Sequence, residues 1–131
     1  MITIILTSYN KARFLPDAIN SVFAQSYPDW QLIIVDDKST DGSYKVAKEL
    51  AKMDKRIKLV KTDLDSDHIA IKLNRYNHNV NYAMNYAKGD LISYLCDDDW
   101  YVPDRLQRMY EFLKDHPEIS CCYGKQGMVD E

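Results

Sequence analysis

Basic residues are not in excess. Seventeen lysines and arginines face 20 aspartates and glutamates, a formal net charge of -3. A polynucleotide binder needs a cationic face for phosphates, so nucleic acid is not an expected partner. Cysteine is scarce and odd in number, three in all, with Cys121 and Cys122 adjacent. That makes no disulfide framework and offers no metal-ligand spacing. It fits a reducing cytosol, with Cys96, Cys121 and Cys122 as buried apolar fillers. Long apolar runs are missing too. Met1 to Leu6 is far too short for a signal peptide or a membrane span, and no later run reaches that length. The expected protein is therefore cytoplasmic, with no transmembrane segment. Repeats, linkers and low-complexity segments are also absent.

What is present is an ordinary globular composition, 46% hydrophobic and 28% charged. A length of 131 residues suits one domain, which would bury roughly two-thirds of its unfolded-chain surface. One feature stands out. The apolar run Leu91-Ile92-Ser93-Tyr94-Leu95-Cys96 reads as a buried strand and stops on Asp97-Asp98-Asp99. Three adjacent carboxylates repel one another unless solvent or a cation relieves them. Oxygen ligands at a strand end suit a hard divalent ion, Mg²⁺ or Mn²⁺, which can hold a diphosphate. Alone, the tripeptide reads equally well as a solvated acidic loop.

Strand and helix patterns alternate along the rest of the chain. Ile2 to Thr7 and Gln31 to Val35 are continuous apolar runs, as in strands covered on both faces. Phe14 to Gln25 carries a helical stripe of Leu15, Ala18, Ile19, Val22 and Phe23, with Pro16 near its start. A second helix places Val46, Ala47, Leu50 and Ala51 on one face. Ile57 to Lys61 alternates and reads as a strand nearer an edge. Thr62 to Asn74 is polar without a clear period and reads as a mobile loop. Val80 to Ala87 reads as a helix closed by a glycine cap at Gly89. Another helix runs from Pro103-Asp104 to His116-Pro117, and Ile119 to Tyr123 reads as a last strand. The fold class is α/β, a mostly parallel sheet with helices on both faces.

Ligands of such sheets bind beyond the carboxyl ends of the strands. Three polar clusters fall there: Thr7-Ser8-Tyr9-Asn10, Asp36-Asp37 and Asp97-Asp98-Asp99. Each alone could be a loop; together they make a candidate site.

These clusters, with Gln25-Ser26-Tyr27-Pro28-Asp29-Trp30, the run Ile33 to Ser43, Ala87-Lys88-Gly89-Asp90 and Pro103-Asp104-Arg105-Leu106, stand in an order that resembles family 2 glycosyltransferases of the GT-A fold. The resemblance spans the chain. Thr7 to Lys11, Tyr101 with Pro103 to Leu106, and His116-Pro117-Glu118 look most like bacterial spore-coat polysaccharide transferases. The resemblance implies the nucleotide-binding half of a transferase, residues 1–131, without the half that binds acceptor and carries the catalytic base; that base is expected beyond Glu131. It also implies transfer from a nucleoside-diphosphate sugar, UDP- or dTDP-linked, to a glycan acceptor, assisted by Mn²⁺ or Mg²⁺ and inverting the anomeric centre.

Under this resemblance Asp37 accepts the ring N–H of uracil. Thymine shares that donor, guanine has a comparable one, and cytosine lacks it. Tyr9 lies against the base, and Thr7, Ser8 and Asn10 complete the nucleotide contacts. Asp98 is the direct metal ligand, with Asp99 the alternative, and Asp97 contacts ribose or a metal-bound water. The family often places an arginine where this chain has Val80, so Arg75 or Lys72 is expected to reach the diphosphate. His68 and His78 could touch phosphate, although lone histidines there are more often solvated. Trp100 and Tyr101 read as packing or sugar-stacking residues. An uncovered sheet edge would favour a homodimer. Two other readings stand beside the transferase: a module that binds metal and nucleoside diphosphate without catalysis, and a Mg²⁺-dependent phospho-acceptor domain. The last would want its acidic pair after the first strand, where Thr7-Ser8-Tyr9-Asn10 sits instead.

Overall fold

The computed structural model describes residues 1–62, 69–124 and 127–128, with backbone alone for 69–73. Its elements are β1 (Ile2–Ser8), α1 (Leu15–Phe23), β2 (Trp30–Asp36), α2 (Ser43–Ala51), β3 (Ile57–Lys61), α3 (Ile69–Met84), β4 (Leu91–Cys96) and α4 (Arg105–Asp115). Among the described residues the strands form one four-stranded sheet in the order β3-β2-β1-β4, and every pairing is parallel.

Both faces are covered, which explains the unbroken apolar runs of β1 and β2. On one face Ile4, Leu6, Leu32 and Ile34 meet Leu15, Ile19 and Val22 of α1, Ala47 of α2 and Leu106 of α4. Burial of each large aliphatic side chain there contributes about 1.5–3 kcal/mol. On the other face Ile5, Ile33 and Val35 meet Ala83 of α3, flanked by Val80 and Ile92. The α/β architecture with helices on both faces is as expected. Beta3 is an edge strand, also as expected.

Four local expectations are corrected. Helix α3 starts at Ile69, not Val80, so the stretch from Ile69 to Asn74 is helix rather than loop. Asn74 explains the misreading: its non-helical backbone (φ -123°, ψ 20°) kinks the helix, so no single 3.6-residue period runs through it. Residues 63–68 of the expected loop lie outside the described residues. Ile119 to Tyr123 forms no strand. Its residues favour extended backbone, but a strand needs a ladder partner; here the segment turns at Ile119, whose N–H donates to the His116 carbonyl, and Cys122 packs its sulfur 3.2 Å from that of Met109. Cys121 is exposed rather than a buried filler, while Cys96 and Cys122 are half-buried. Gly89, finally, is not a left-handed cap, since among the described glycines only Gly42 has positive φ.

Register brings the strand ends to one rim. Ser8 pairs with Asp36, Asp36 with Lys61, and Thr7 with Cys96. The three polar clusters leave the sheet side by side.

Candidate functional site

Two loops build the floor of the rim, and backbone conformation is where they begin. Asn10 (φ 53°) and Lys38 (φ 59°) both adopt the left-handed region just past their strands. Asparagine tolerates that region well; a lysine there marks a position held by its surroundings. The holding contacts are dense. Asn10 N–H donates to Ser39 Oγ (3.1 Å), Lys11 N–H to Ser43 Oγ (2.9 Å) and Ala12 N–H to Asp41 Oδ2 (2.9 Å). In return the Thr40 N–H donates to Asn10 Oδ1 at 2.7 Å. The Asp37 N–H donates to the Ser8 carbonyl at 2.8 Å. Ser39, Asp41 and Ser43 thus staple the loop after β2 to the loop after β1.

Asp41 is the hub of that staple. The Ala12 N–H, then the hydroxyl and N–H of Ser43, hold its carboxyl below the ordinary carboxylate range. Replacing it (Asp41→Ala) releases both loops without touching the cleft lining. Any ligand held between the two loops is expected to bind roughly three- to tenfold more weakly, with little change in overall fold, corresponding to about one lost net hydrogen bond. Calorimetric titration with a circular-dichroism control reads both.

Above this floor lies a cleft of about 210 Å³ lined by Thr7, Ser8, Tyr9, Asp37, Arg75, Tyr76, Asn79 and Asp97. Asp37 is almost fully buried, and its Oδ2 accepts from Arg75 Nε at 2.6 Å. Arg75 Nη2 also reaches the Asp37 carbonyl at 3.2 Å. Burial works to raise the Asp37 carboxyl, but hydrogen bonds from Arg75 and Asn79, then the charges of Arg75 and Lys38, outweigh it and hold it below its usual value. Tyr9 is 51% exposed and lines the cleft, with the Arg75 guanidinium 5.0 Å from its ring centroid.

Asp97 turns inward and accepts the Tyr9 N–H at 2.9 Å. Burial raises its carboxyl above the usual range, the Tyr9 N–H opposes that shift, and the neighbouring Asp98 charge adds to it. Asp98 turns outward to an ion pair with Lys11 Nζ at 2.8 Å. Asp99 is exposed and does not line the cleft. Negative potential gathers at this end of β4: after burial, the charges of Asp99, Asp98 and Asp97 push the Cys96 thiol up.

Does this donor set suit a divalent ion? Among the described residues no three histidine, cysteine, aspartate or glutamate side chains converge into a preformed cage. One or two carboxylates are nevertheless what Mg²⁺ takes from protein when substrate phosphates and water fill its other positions. The Lys11 ammonium already sits on Asp98 as a stand-in cation. The carboxylates fit the ion.

Of the expected nucleotide contacts, the structure thus brings Thr7, Ser8, Tyr9, Asp37, Arg75 and Asp97 together around one cleft. Asn10 does not line that cleft, and its Oδ1 accepts the Thr40 N–H of the loop staple. Tyr101 is a packing residue: its hydroxyl donates to the Tyr94 carbonyl at 2.6 Å and meets Ser93 Oγ at 2.7 Å. Trp100 is half-exposed. His78 is half-buried on α3 and does not line the cleft. His68 and the Lys72 side chain lie outside the described residues.

Asn79 was missed by sequence reasoning. It is buried at 3% exposure, it donates to Asp37, and its own Oδ1 has no partner. The signal was its spacing, four residues after Arg75 and so on the same helix face.

The chain is similar to proteins already known. It is 40% identical over 130 residues to protein CgeD of Bacillus subtilis, covering 98% of this chain and 30% of that one. It is 32% identical over 127 residues to the putative teichuronic acid biosynthesis glycosyltransferase TuaG of the same organism, covering 97% of this chain and 46% of the relative. The chain therefore spans less than half the length of these relatives. In structure it resembles S. aureus TarS in complex with UDP (TM-score 0.75, 20% identity, 88% of this chain and 32% of that chain). It also resembles the mannosyltransferase PcManGT of Pyrobaculum calidifontis in complex with GDP-Man and Mn²⁺ (TM-score 0.73, 22% identity, 88% and 32%). These likenesses place the fold among GT-A proteins. The family model for glycosyl transferase family 2 matches residues 3–130, nearly the whole chain, and the protein belongs to that family.

Proposed function

We propose that this chain is the donor-binding half of a glycosyltransferase that moves a sugar from a nucleoside-diphosphate sugar to a glycan acceptor during polysaccharide assembly. The observation that carries this reading is the cleft itself: a buried carboxylate, a half-exposed tyrosine and the β4 aspartates on one rim. Asp37 supplies an acceptor for a base N–H. A base without that donor would add nothing to the bonds Arg75 and Asn79 already make to the carboxylate and would forgo a charge-assisted hydrogen bond, about 1.5–3 kcal/mol, which disfavours cytosine. Uracil and thymine are the expected bases, and guanine offers a comparable N–H. One neighbour of this fold is complexed with UDP and another with GDP-Man, which supports keeping both kinds of nucleotide in the test.

Tyr9 would lie along the base, a contact worth about 0.5–1.5 kcal/mol beyond area burial. Asp97 would face the ribose. Asp98, with Asp99 as the alternative, would hold Mn²⁺ or Mg²⁺. When bound, such an ion neutralises the diphosphate as it leaves the sugar. The chain's own part is to fix the nucleotide between the two stapled loops, so that the diphosphate lies along the Asp97–Asp98 edge and the sugar projects from the rim. Transfer in one displacement would invert the anomeric centre. The relatives are more than twice as long as this chain, and none of the cleft residues is assigned to the acceptor or to deprotonating its hydroxyl. No helix among the described residues is long and apolar enough to cross a membrane.

Titration calorimetry with UDP, dTDP and GDP, with and without Mn²⁺, tests the reading. One of the three is expected to bind in a metal-dependent way, and Asp98→Ala to weaken that binding at least tenfold, a loss of about 1.4 kcal/mol or more. Failure of all three, both here and in a chain extended to the relatives' length, would overturn it.

A further inference from the structure

Lys11 is set apart from the other cations of the rim by how its two ends are held. Its main chain is fixed, with its N–H on Ser43 Oγ at 2.9 Å and the next residue's N–H on Asp41 at 2.9 Å. Its ammonium is at the far end of a flexible four-carbon stem, 2.8 Å from Asp98 Oδ2 and 5.6 Å from the Phe14 ring centroid. The ion pair is a surface one, 39% exposed on the lysine and 45% on the aspartate. Such pairs are weak and exchange readily.

We propose that Lys11 is a resident counter-cation for Asp98: it occupies the carboxylate before nucleotide arrives, yields it to the divalent ion, and turns to the diphosphate. This rests on the donor-binding reading above. The electrostatics run in one direction. Three consecutive carboxylates at the end of β4 need positive charge, and one lysine meets part of that need. A divalent ion arriving at Asp98 repels the ammonium a few ångströms away. The nearest new anion is then the diphosphate, within reach of a lysine whose backbone need not move.

The consequence is coupling. Lys11 competes with metal on the empty site and cooperates with the diphosphate on the loaded one. Metal and nucleotide therefore strengthen each other's binding, by the same factor in either order.

The test measures Mn²⁺ binding by electron paramagnetic resonance, with no nucleotide present, in the wild-type chain, Lys11→Met and Lys11→Arg. Methionine keeps an unbranched stem and removes the charge. Lys11→Met is expected to bind Mn²⁺ alone about 3- to 10-fold more tightly, while Lys11→Arg stays near wild type. Binding of UDP, dTDP or GDP at saturating Mn²⁺ should move the opposite way in Lys11→Met, weakening by a similar factor. A purely structural role for Lys11 would weaken both. Unchanged or weaker Mn²⁺ binding in Lys11→Met would overturn the proposal. A wild-type chain that binds Mn²⁺ but none of the three nucleotides would instead count against the donor-binding reading, and the Mn²⁺ comparison alone would still decide whether Lys11 competes at Asp98.

Discussion

Asp37→Asn is expected to reduce nucleoside-diphosphate binding about 100-fold, the largest loss of any single change in the cleft. The argument starts from burial. Asp37 is 4% exposed, and its carboxylate is shared by Arg75 and Asn79. A base N–H entering there finds a charged acceptor with little water to compete, and such charge-assisted bonds are about twice as strong as neutral ones. Asparagine removes the charge and puts N–H groups where one acceptor stood, so the base loses a partner and meets a donor.

Asp37→Ala adds a stability cost. Breaking a buried ion pair costs about 3–5 kcal/mol. Arg75 keeps 27% side-chain exposure and its bond to the Asp37 carbonyl, so about 2 kcal/mol is the expected figure here. The same pair sets an acid limit. Asp37 is held below its ordinary value in the fold, so its stabilisation is fully present above the unfolded carboxylate value of about 4 and fades as pH falls through the lower folded value. Urea denaturation of wild type and Asp37→Asn from pH 7 down to pH 3 should show the two curves converging below pH 4. Parallel curves would mean that the Arg75 pair contributes nothing to stability.

Much of this cleft was legible in the sequence because its parts obey local rules. Strands read as ending on Thr7, Val35 and Cys96 are apolar enough to recognise, and a parallel sheet must bring their ends to one rim. The clusters Asp36-Asp37 and Asp97-Asp98-Asp99 follow from that alone; the choice of Asp37 and Asp97 within them comes from the family resemblance. Other features depend on tertiary context. The kink at Asn74 hid the first turns of α3, so Arg75 and Asn79 fall between the loop expected to Asn74 and the helix expected from Val80. Ser39, Asp41 and Ser43 looked like generic turn residues, and nothing local says that their oxygens cap the backbone of another loop. Ile119 to Tyr123 has the composition of a strand; what it lacks is a partner, which composition does not encode.

Gly89 shows the same limit and carries the largest expected effect on stability. In sequence it follows a helical stretch and a lysine, the usual setting of a left-handed cap. In the structure its constraint is space. A Cβ built on Gly89 would stand 2.6 Å from the Thr3 nitrogen, 2.7 Å from the Met1 carbonyl oxygen and 2.9 Å from Thr3 Oγ1. Two of those atoms are backbone at the start of β1, so no side-chain rotation relieves the contact.

The glycine also donates its N–H to Thr3 Oγ1 at 2.9 Å, beside Lys88 N–H on Gln31 Oε1 at 3.1 Å. Thr3 and Gln31 are themselves bonded at 3.1 Å inside the fold. Pushing residue 89 outward would break this buried polar knot as well as open the packing. Gly89→Ala is therefore expected to destabilise by about 2–4 kcal/mol, overpacking and a lost hydrogen bond together, out of a total of roughly 5–15 kcal/mol for a domain of this kind. A lower urea midpoint with an unchanged slope would report it. Thr3 and Thr7 are four residues apart along β1, about 13 Å, so the molecules that remain folded should bind nucleotide as wild type does. Stability within 0.5 kcal/mol of wild type would mean that the start of β1 yields to the methyl group, and that the glycine there is not a packing requirement.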